Sequence, residues 1–389
     1  MDAFDPTPLI RIFSELPDPR DESSIRHNLV DIIVIALCAV VGGADGWVDV
    51  EEFGLAKEAW FRSFLELPHG IPSHDTFGRV FARIDPRAFG ACFLEVVEEI
   101  RERISRTRSP GEDPEPHIAI DGKVSRATRD AGRKLRALGV VSAWAGATRL
   151  VLGQLAVEAK SNETTAIPAL LETLDLKGST VTIDAAGTQP TTAQAIVDRG
   201  GDYVLAVKKN QPATYDVFQY LWASTLVDGA DRAGLSVHET DEAATHGRRE
   251  RRRVLAFHIA DLEWVGKLLR ERWPQAKTAV IVESRRTTDR EHSFAVRYYV
   301  SSREAEAEPM GTIIRGHWGI ENSVHWVLDL VFADDRSRVR VGHAAENLAL
   351  LRRLALNLLR QEPSRKISLR NRRNRAGWDT AYLERVLGL

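Results

Sequence analysis

Ile118-Ala119-Ile120-Asp121-Gly122 is a short apolar run that stops on an acid and a glycine, and Val181-Thr182-Ile183-Asp184-Ala185 repeats the pattern further along. Each reads as a buried strand, His117 to Asp121 and Thr180 to Asp184, whose last residue is a carboxylate. An acid at the end of a buried strand is poorly solvated, and two of them on neighbouring strands repel unless a cation lies between them. Oxygen ligands of this kind suit Mg2+ or Mn2+. Taken singly, each Asp has the plainer reading of a cap for the turn or helix that follows. Taken together on one sheet, they point to a metal site.

The text around these two runs is that of a mixed α/β sheet. Leu138 to Trp144 and Leu150 to Val157 are strands split by the turn Gly146-Ala147-Thr148. A helix over Thr164 to Leu174, a helix over Thr191 to Arg199 and a strand over Asp202 to Val207 flank the second acid. Strand-like text returns at Arg252 to Ile259, Thr278 to Glu283 and Phe294 to Val300, and is followed by helices over Pro309 to Leu330 and Ala344 to Leu359. Residues 1–105 read as helical. Asp31 caps the apolar run Ile32 to Val41, which Gly42-Gly43 ends. Ser105 to Pro116, rich in Pro, Ser and charge, is the best linker.

A third acid comes from the helix Arg315-Gly316-His317-Trp318-Gly319-Ile320-Glu321-Asn322-Ser323-Val324-His325-Trp326. At helical spacing His317, Glu321, His325 and Leu328 share one face. A polar patch against a second domain is the plain alternative. A zinc site at His317 and His325 lacks a third soft ligand.

The chain has 389 residues and a formal net charge of −2, which argues at first against a nucleic-acid partner. That sum hides segregation. Residues 1–120 carry 12 basic and 22 acidic side chains, residues 121–389 carry 41 and 33, and residues 336–389 carry 13 and 4. Two basic segments stand out: His246 to Arg253, read either as a charged hairpin or as a DNA-backbone contact through Arg248 and Arg249, and the tail Arg360 to Arg375, where Arg372 and Arg373 are read as phosphate contacts. Lys123 reads as a phosphate anchor or as a solvated loop lysine. Cys38 and Cys92 form no CxxC motif, and the ten-residue run Ile32 to Val41 is too short for roughly 30 Å of hydrocarbon. A soluble, cytoplasmic protein is expected. No phosphate loop, nucleophile elbow or dinucleotide fingerprint is present in the sequence, so ATP-driven and nicotinamide chemistry are unsupported.

Ile120-Asp121-Gly122-Lys123, Lys160-Ser161-Asn162-Glu163-Thr164, Thr182-Ile183-Asp184, Gly200-Gly201-Asp202-Tyr203-Val204-Leu205, Ile71 to Phe77 and His317-Trp318-Gly319-Ile320-Glu321-Asn322 together resemble the DDE-type insertion-sequence transposases of the H-repeat-associated group. The resemblance spans nearly the whole chain. It implies an α/β fold: a ribonuclease-H-like mixed-sheet core with a mostly β insertion, plus an all-α N-terminal domain. The implied division is a helical domain over 1–110, a first core segment over 111–234, the insertion over 235–305, a second core segment with the acidic helix over 306–360, and a basic tail over 361–389.

The resemblance also implies that Asp121 and Asp184 sit side by side and that Glu321 closes a catalytic triad. Two divalent ions, Mg2+ or Mn2+, would bridge these acids and a scissile phosphate, about 3.5–4 Å apart. Double-stranded DNA is then the partner, as transposon ends and as target, with no membrane and no ATP, and a homo-oligomer assembles on the DNA. An endonuclease that does not join, and a domesticated DNA-binding protein, are the competing readings. Ile314, His317 and Leu328 stand where related enzymes carry Tyr, Arg and Lys. Arg315, His317 and His325 are the candidates to supply the lost phosphate contacts, and Trp318 or Trp326 to stack on a base.

Overall fold

The computed structural model describes residues 5–107, 116–130, 132, 135–157, 162–228, 235–244, 248–288, 292–364 and 366–388. Most of the expected linker, together with Lys160, Ser161, His246, Gly247 and Arg365, lies outside the described residues.

Six helices open the chain: α1 (Thr7–Ser14), α2 (Leu29–Val41), α3 (Trp47–Ala56), α4 (Glu58–Phe61), α5 (His74–Phe81) and α6 (Pro86–Thr107). Helix α2 is apolar on every side and is accordingly buried on every side, from Ile32 to Val41. Asp31 does not cap it. The helix begins at Leu29, and the buried Asp31 carboxylate instead accepts the Leu67 amide at 3.0 Å. Helix α2 is the axis of an all-helical layer that also includes the chain's last helices, α13 (Ala344–Gln361), α14 (Leu369–Trp378) and α15 (Thr380–Leu387). Among the described residues no helix is long and apolar enough to cross a membrane.

Between these helical ends lies one nine-stranded mixed sheet, in the order β3-β2-β1-β4-β5-β9-β8-β7-β6. Its first half is β1 (His117–Ser125), β2 (Leu138–Ala145), β3 (Leu150–Val157), β4 (Thr180–Ile183) and β5 (Asp202–Val207). Strands β1, β4 and β5 are parallel, β2 runs antiparallel beside β1, and β3 runs antiparallel beside β2 at the edge. The parallel strands are buried together at Ile118 to Ile120, Thr180 to Ile183 and Tyr203 to Leu205, as strands in the middle of a sheet are. Helices α7 (Glu163–Glu172), α8 (Pro190–Asp198) and α9 (Pro212–Asp228) connect and cover them.

The second half, β6 (Leu235–Ala244), β7 (Arg248–His258), β8 (Thr278–Thr287) and β9 (His292–Ser301), is an antiparallel meander, with α10 (Glu263–Arg272) between β7 and β8. It joins the first half edge to edge: β9 pairs with β5, with Leu205 opposite Val300. The strand-rich stretch is therefore continuous with the core sheet.

The long helix expected over Pro309 to Leu330 is α11 (Ala307–Ile320) and α12 (Trp326–Val331), joined by a π-helical turn over Glu321–His325. In that turn the Trp326 amide reaches back five residues to the Glu321 carbonyl. Such wide turns are frequent at functional sites.

Candidate active site

The register decides where the two expected strand-end acids go. Ile120 lies opposite Ile183 in parallel β1 and β4, so Asp121 and Asp184, the next residue of each, come side by side. Asp121 does not end its strand as expected: β1 runs on to Ser125, with Asp121 opposite Ser142, because β2 still pairs with it after β4 has stopped. Strand β4 stops at Ile183, one residue short of the expected end. Asp184 stands in the following turn, where its Oδ1 accepts the Ala186 and Gly187 amides at 2.9 and 3.3 Å. The plain reading of Asp184 as a turn cap and its reading as a site acid are thus both realised by one side chain.

Asp121, Asp184 and Glu321 line one cavity of about 280 Å³, together with Lys208, Arg297, Tyr299, Ile314 and His317. Burial first, then the charge of Asp184, push the Asp121 carboxyl up to about 7. The Gly122 amide opposes that rise, and Glu163 and Glu321 add to it. A buried acid with acidic neighbours has a raised pKa because its charged form is both desolvated and repelled, and a cation would relieve both.

The closest potential ligand set among the described residues is not the three acids. It is Asp121, Glu321 and His325, one ligand atom from each lying within 4.8 Å of the others. The His325 ring is buried. Its Nδ1 is 2.9 Å from Glu321 Oε2 and 3.5 Å from Asp121 Oδ2, while its buried Nε2 has no partner among the described residues. Burial lowers His325 to about 4 against the pull of Glu321, so the ring is neutral near pH 7 and donates from Nδ1. The oxygens of Asp121 and Glu321 fit Mg2+ or Mn2+, while His325, with its Nδ1 proton on Glu321, orients that carboxylate rather than adding a ligand. Asp184 faces the same cavity from outside this close group.

Glu163 is the acid that the sequence reading passed over as a site residue. It opens α7, and its carboxylate rests against Gly122 where a Cβ would otherwise stand. Burial and Asp184 raise its pKa. The signal was available in Asn162-Glu163-Thr164, but nothing local says that this acid turns towards the strand ends. Gly122 is glycine here because a carboxylate approaches the strand at that point.

Most of the expected DNA contacts have other partners. His317 Nδ1 and His117 Nε2 each lie 2.9 Å from Thr182 Oγ1, so His317 braces β4 beneath the cavity. Lys123 is neither a phosphate anchor nor a solvated loop lysine. It is buried, with Nζ 2.7 Å from Asp329, 3.3 Å from Asp335 and 3.6 Å from Asp334. Arg315 is paired bidentately with Glu242. Arg249 is paired bidentately with Asp241 at 2.8 and 2.6 Å, because the Arg run of β7 faces the acids of β6 across the hairpin. Arg248 stands in β7 opposite Ala244, and its side chain lies outside the described residues. Trp318 is exposed, and with Arg315 lines a groove of about 1330 Å³ beside the cavity.

The basic tail is largely structural. Arg372 wraps the end of α13, donating to the Leu359, Arg360 and Glu362 carbonyls. Arg373 is buried. It donates to the Val40, Ala44 and Val331 carbonyls and to Asp45, and its guanidinium lies 4.6 Å from the centre of the Phe332 ring. One planar five-donor group thus answers the Val40 and Val331 carbonyls near the ends of α2 and α12 and the Ala44 carbonyl in the loop after α2. Arg373→Ala is therefore expected to lower unfolding stability by about 3 kcal/mol in a urea melt. The salt dependence of DNA binding should not change; a shallower salt slope would return Arg373 to the DNA surface.

The mixed sheet and a helix bring Asp121, Asp184 and Glu321 to one cavity, and sequence comparison gives the class. A profile described as "Transposase DDE domain" matches residues 112–358, and one described as "DDE_Tnp_1-associated" matches residues 10–97. The chain belongs to the DDE transposase family, and within it to the H-repeat-associated group. It is 36% identical to "Putative transposase YncI" of Escherichia coli O157:H7 over 97% of this chain and 94% of that protein. It is 35% identical to "H repeat-associated putative transposase YhhI" of Escherichia coli strain K12 over 97% of each. Identity reaches 42% over 76% of this chain with "Uncharacterized protein in dhlA 3'region" of Xanthobacter autotrophicus, covering 94% of that protein.

Proposed function

We propose that this chain cuts the ends of its insertion element with water and joins the freed 3′-OH to target DNA. The observation that carries the reading is the convergence of Asp121, Asp184 and Glu321 on one cavity. The order β3-β2-β1-β4-β5, with β2 antiparallel, supports a ribonuclease-H-like core for it. Asp121, Asp184 and Glu321 would hold two divalent cations, with His325 within reach of the same position. Bound there, the cations supply an activated water and neutralise charge on the scissile phosphate. His325 orients Glu321 through its Nδ1 proton, and Thr182 with its two histidines keeps β4 in place. Cleavage leaves a 3′-OH. The attack of that hydroxyl on a second phosphodiester exchanges one ester for another, so no ATP is consumed. Two copies of the chain, one on each end, would act together.

The test uses duplexes carrying the ends of the element that encodes the protein, a supercoiled target and Mg2+. Cleaved ends joined to target are expected. Cleavage without joining would make the protein an endonuclease, and binding without cleavage would make it a DNA-binding protein.

Cation binding should also depend on pH. The raised Asp121 carboxyl keeps its proton below about pH 7, and a cation must displace it. Mg2+ affinity, followed by calorimetry, is expected to rise by up to about tenfold per pH unit up to pH 7 and then level off, with proton release that vanishes in Asp121→Asn. The sign for stability is the opposite. An acid whose folded pKa is raised binds its proton more tightly when folded. Metal-free protein therefore loses stability as pH climbs towards 7, and Asp121→Asn removes that loss.

A further inference from the structure

We infer that Lys208 and Arg297 are the phosphate contacts of the active site, holding the DNA strand on either side of the scissile bond, and that Arg286 continues the track outward. The inference rests on the proposed transposase reading and deepens it. A cavity walled by acids repels a polyanion, so cations must face them. The helix that bears Glu321 does not provide these cations: Arg315 is tied to Glu242 and His317 to Thr182. Lys123 is tied to three acids away from the cavity. Two cations remain in the lining, Lys208 just past the end of β5 and Arg297 on β9. Both are exposed, and neither has an ion pair among the described residues.

The sheet register explains how they meet. Strands β5 and β9 are the seam between the two halves of the sheet, so a residue from each reaches the acids across it. Arg297 stands opposite Val282, and Arg286 opposite Ser293, so both Arg project from the same face. They are separated by roughly 13 Å along the strands at about 3.3 Å per residue. Arg286 and Arg297 line the 1330 Å³ groove, and Arg297 and Trp318 line both the groove and the catalytic cavity. A backbone leaving the acids along this groove meets Arg297 and then Arg286, which stands opposite Glu250 on β7.

The experiment measures binding of an end duplex by fluorescence anisotropy in Ca2+ across a salt series, for wild type, Lys208→Ala, Arg297→Ala and the double variant. Each single variant is expected to weaken binding about tenfold and to lower the salt slope by about one, and the double variant by about two. A duplex carrying a neutral methylphosphonate beside the scissile bond should bind wild type about as weakly as Arg297→Ala binds the native duplex, and that variant should lose nothing further. Arg297→Lys, which keeps the charge, should recover most of the slope. Unchanged affinity and slope, or losses from the methylphosphonate and the variant that simply multiply, would overturn the assignment. A wild-type enzyme that bound ends but never cut them would instead count against the transposase reading.

Discussion

Asp121→Asn, Asp184→Asn and Glu321→Gln are each expected to lower Mg2+-dependent cleavage of an end duplex by at least roughly 10³-fold, with duplex affinity within about threefold of wild type. The size follows from the geometry. Asp121 within β1 and Asp184 just past β4 stand side by side, and Glu321 lines the same cavity from its helix. Neutralising any one removes a fixed charge where a cation has to sit, at a cost of about 4 kcal/mol in the transition state for a 10³-fold loss. Because the three acids work as a unit, Asp121→Asn combined with Glu321→Gln should be hardly slower than either alone. Gel-based cleavage under single-turnover conditions measures this. An active Glu321→Gln enzyme would remove Glu321 from the site. Asp329 would not replace it, because its carboxylate is engaged by Lys123 at 2.7 Å.

The largest loss of stability is expected from Asp334→Ala, at about 3–5 kcal/mol. Asp334 is 1% exposed and receives Arg352 at 2.7 Å, Ser125 at 2.8 Å and Lys123 at 3.6 Å. Burial pushes its carboxyl up, but Arg352, Arg353 and Lys123 outweigh that and hold it below the usual carboxylate range. Without it, three buried or nearly buried cations face one another with no central anion. An acid with a depressed folded pKa stabilises the protein above its ordinary titration range, and that stabilisation is lost as pH falls through the range. Wild type should therefore lose more stability on acidification than Asp334→Ala does. Urea melts at two pH values measure both effects. A loss under 1 kcal/mol would mean that Lys123 and Arg352 find other partners. Since Lys123 ties β1 to the segment just beyond the acidic helix, a secondary loss of cleavage is expected even where the variant folds.

Much of the frame was legible. The strand Asp202 to Val207 has the bounds read from its text, and the apolar run from Ile32 ends at Gly42 as expected. These features depend on periodicity and turn residues within about ten positions, which a chain carries locally. Helices α9 and α10 and strand β6 escaped notice as elements, because their patterns are weaker than their tertiary packing. The π-turn was also invisible. A straight-helix count puts His317, Glu321 and His325 on one face, whereas the wide turn buries His325 against Asp121 and Glu321 and leaves His317 on Thr182.

The basic segments show the same division. Arg density in 248–253 and 360–375 is a property of composition, and a partner is a property of space. The partners of Arg249, Arg372 and Arg373 are an acid across a hairpin and carbonyls at the ends of α2, α12 and α13. The sequence alone determined that two apolar strand segments each lead into an acid, that a helix carries a third, and that charge is segregated along the chain. Only the tertiary structure decided which cations are already paired and which remain exposed. Periodicity is written within a few turns of chain, while a salt bridge is made by whatever the fold brings within a few ångströms.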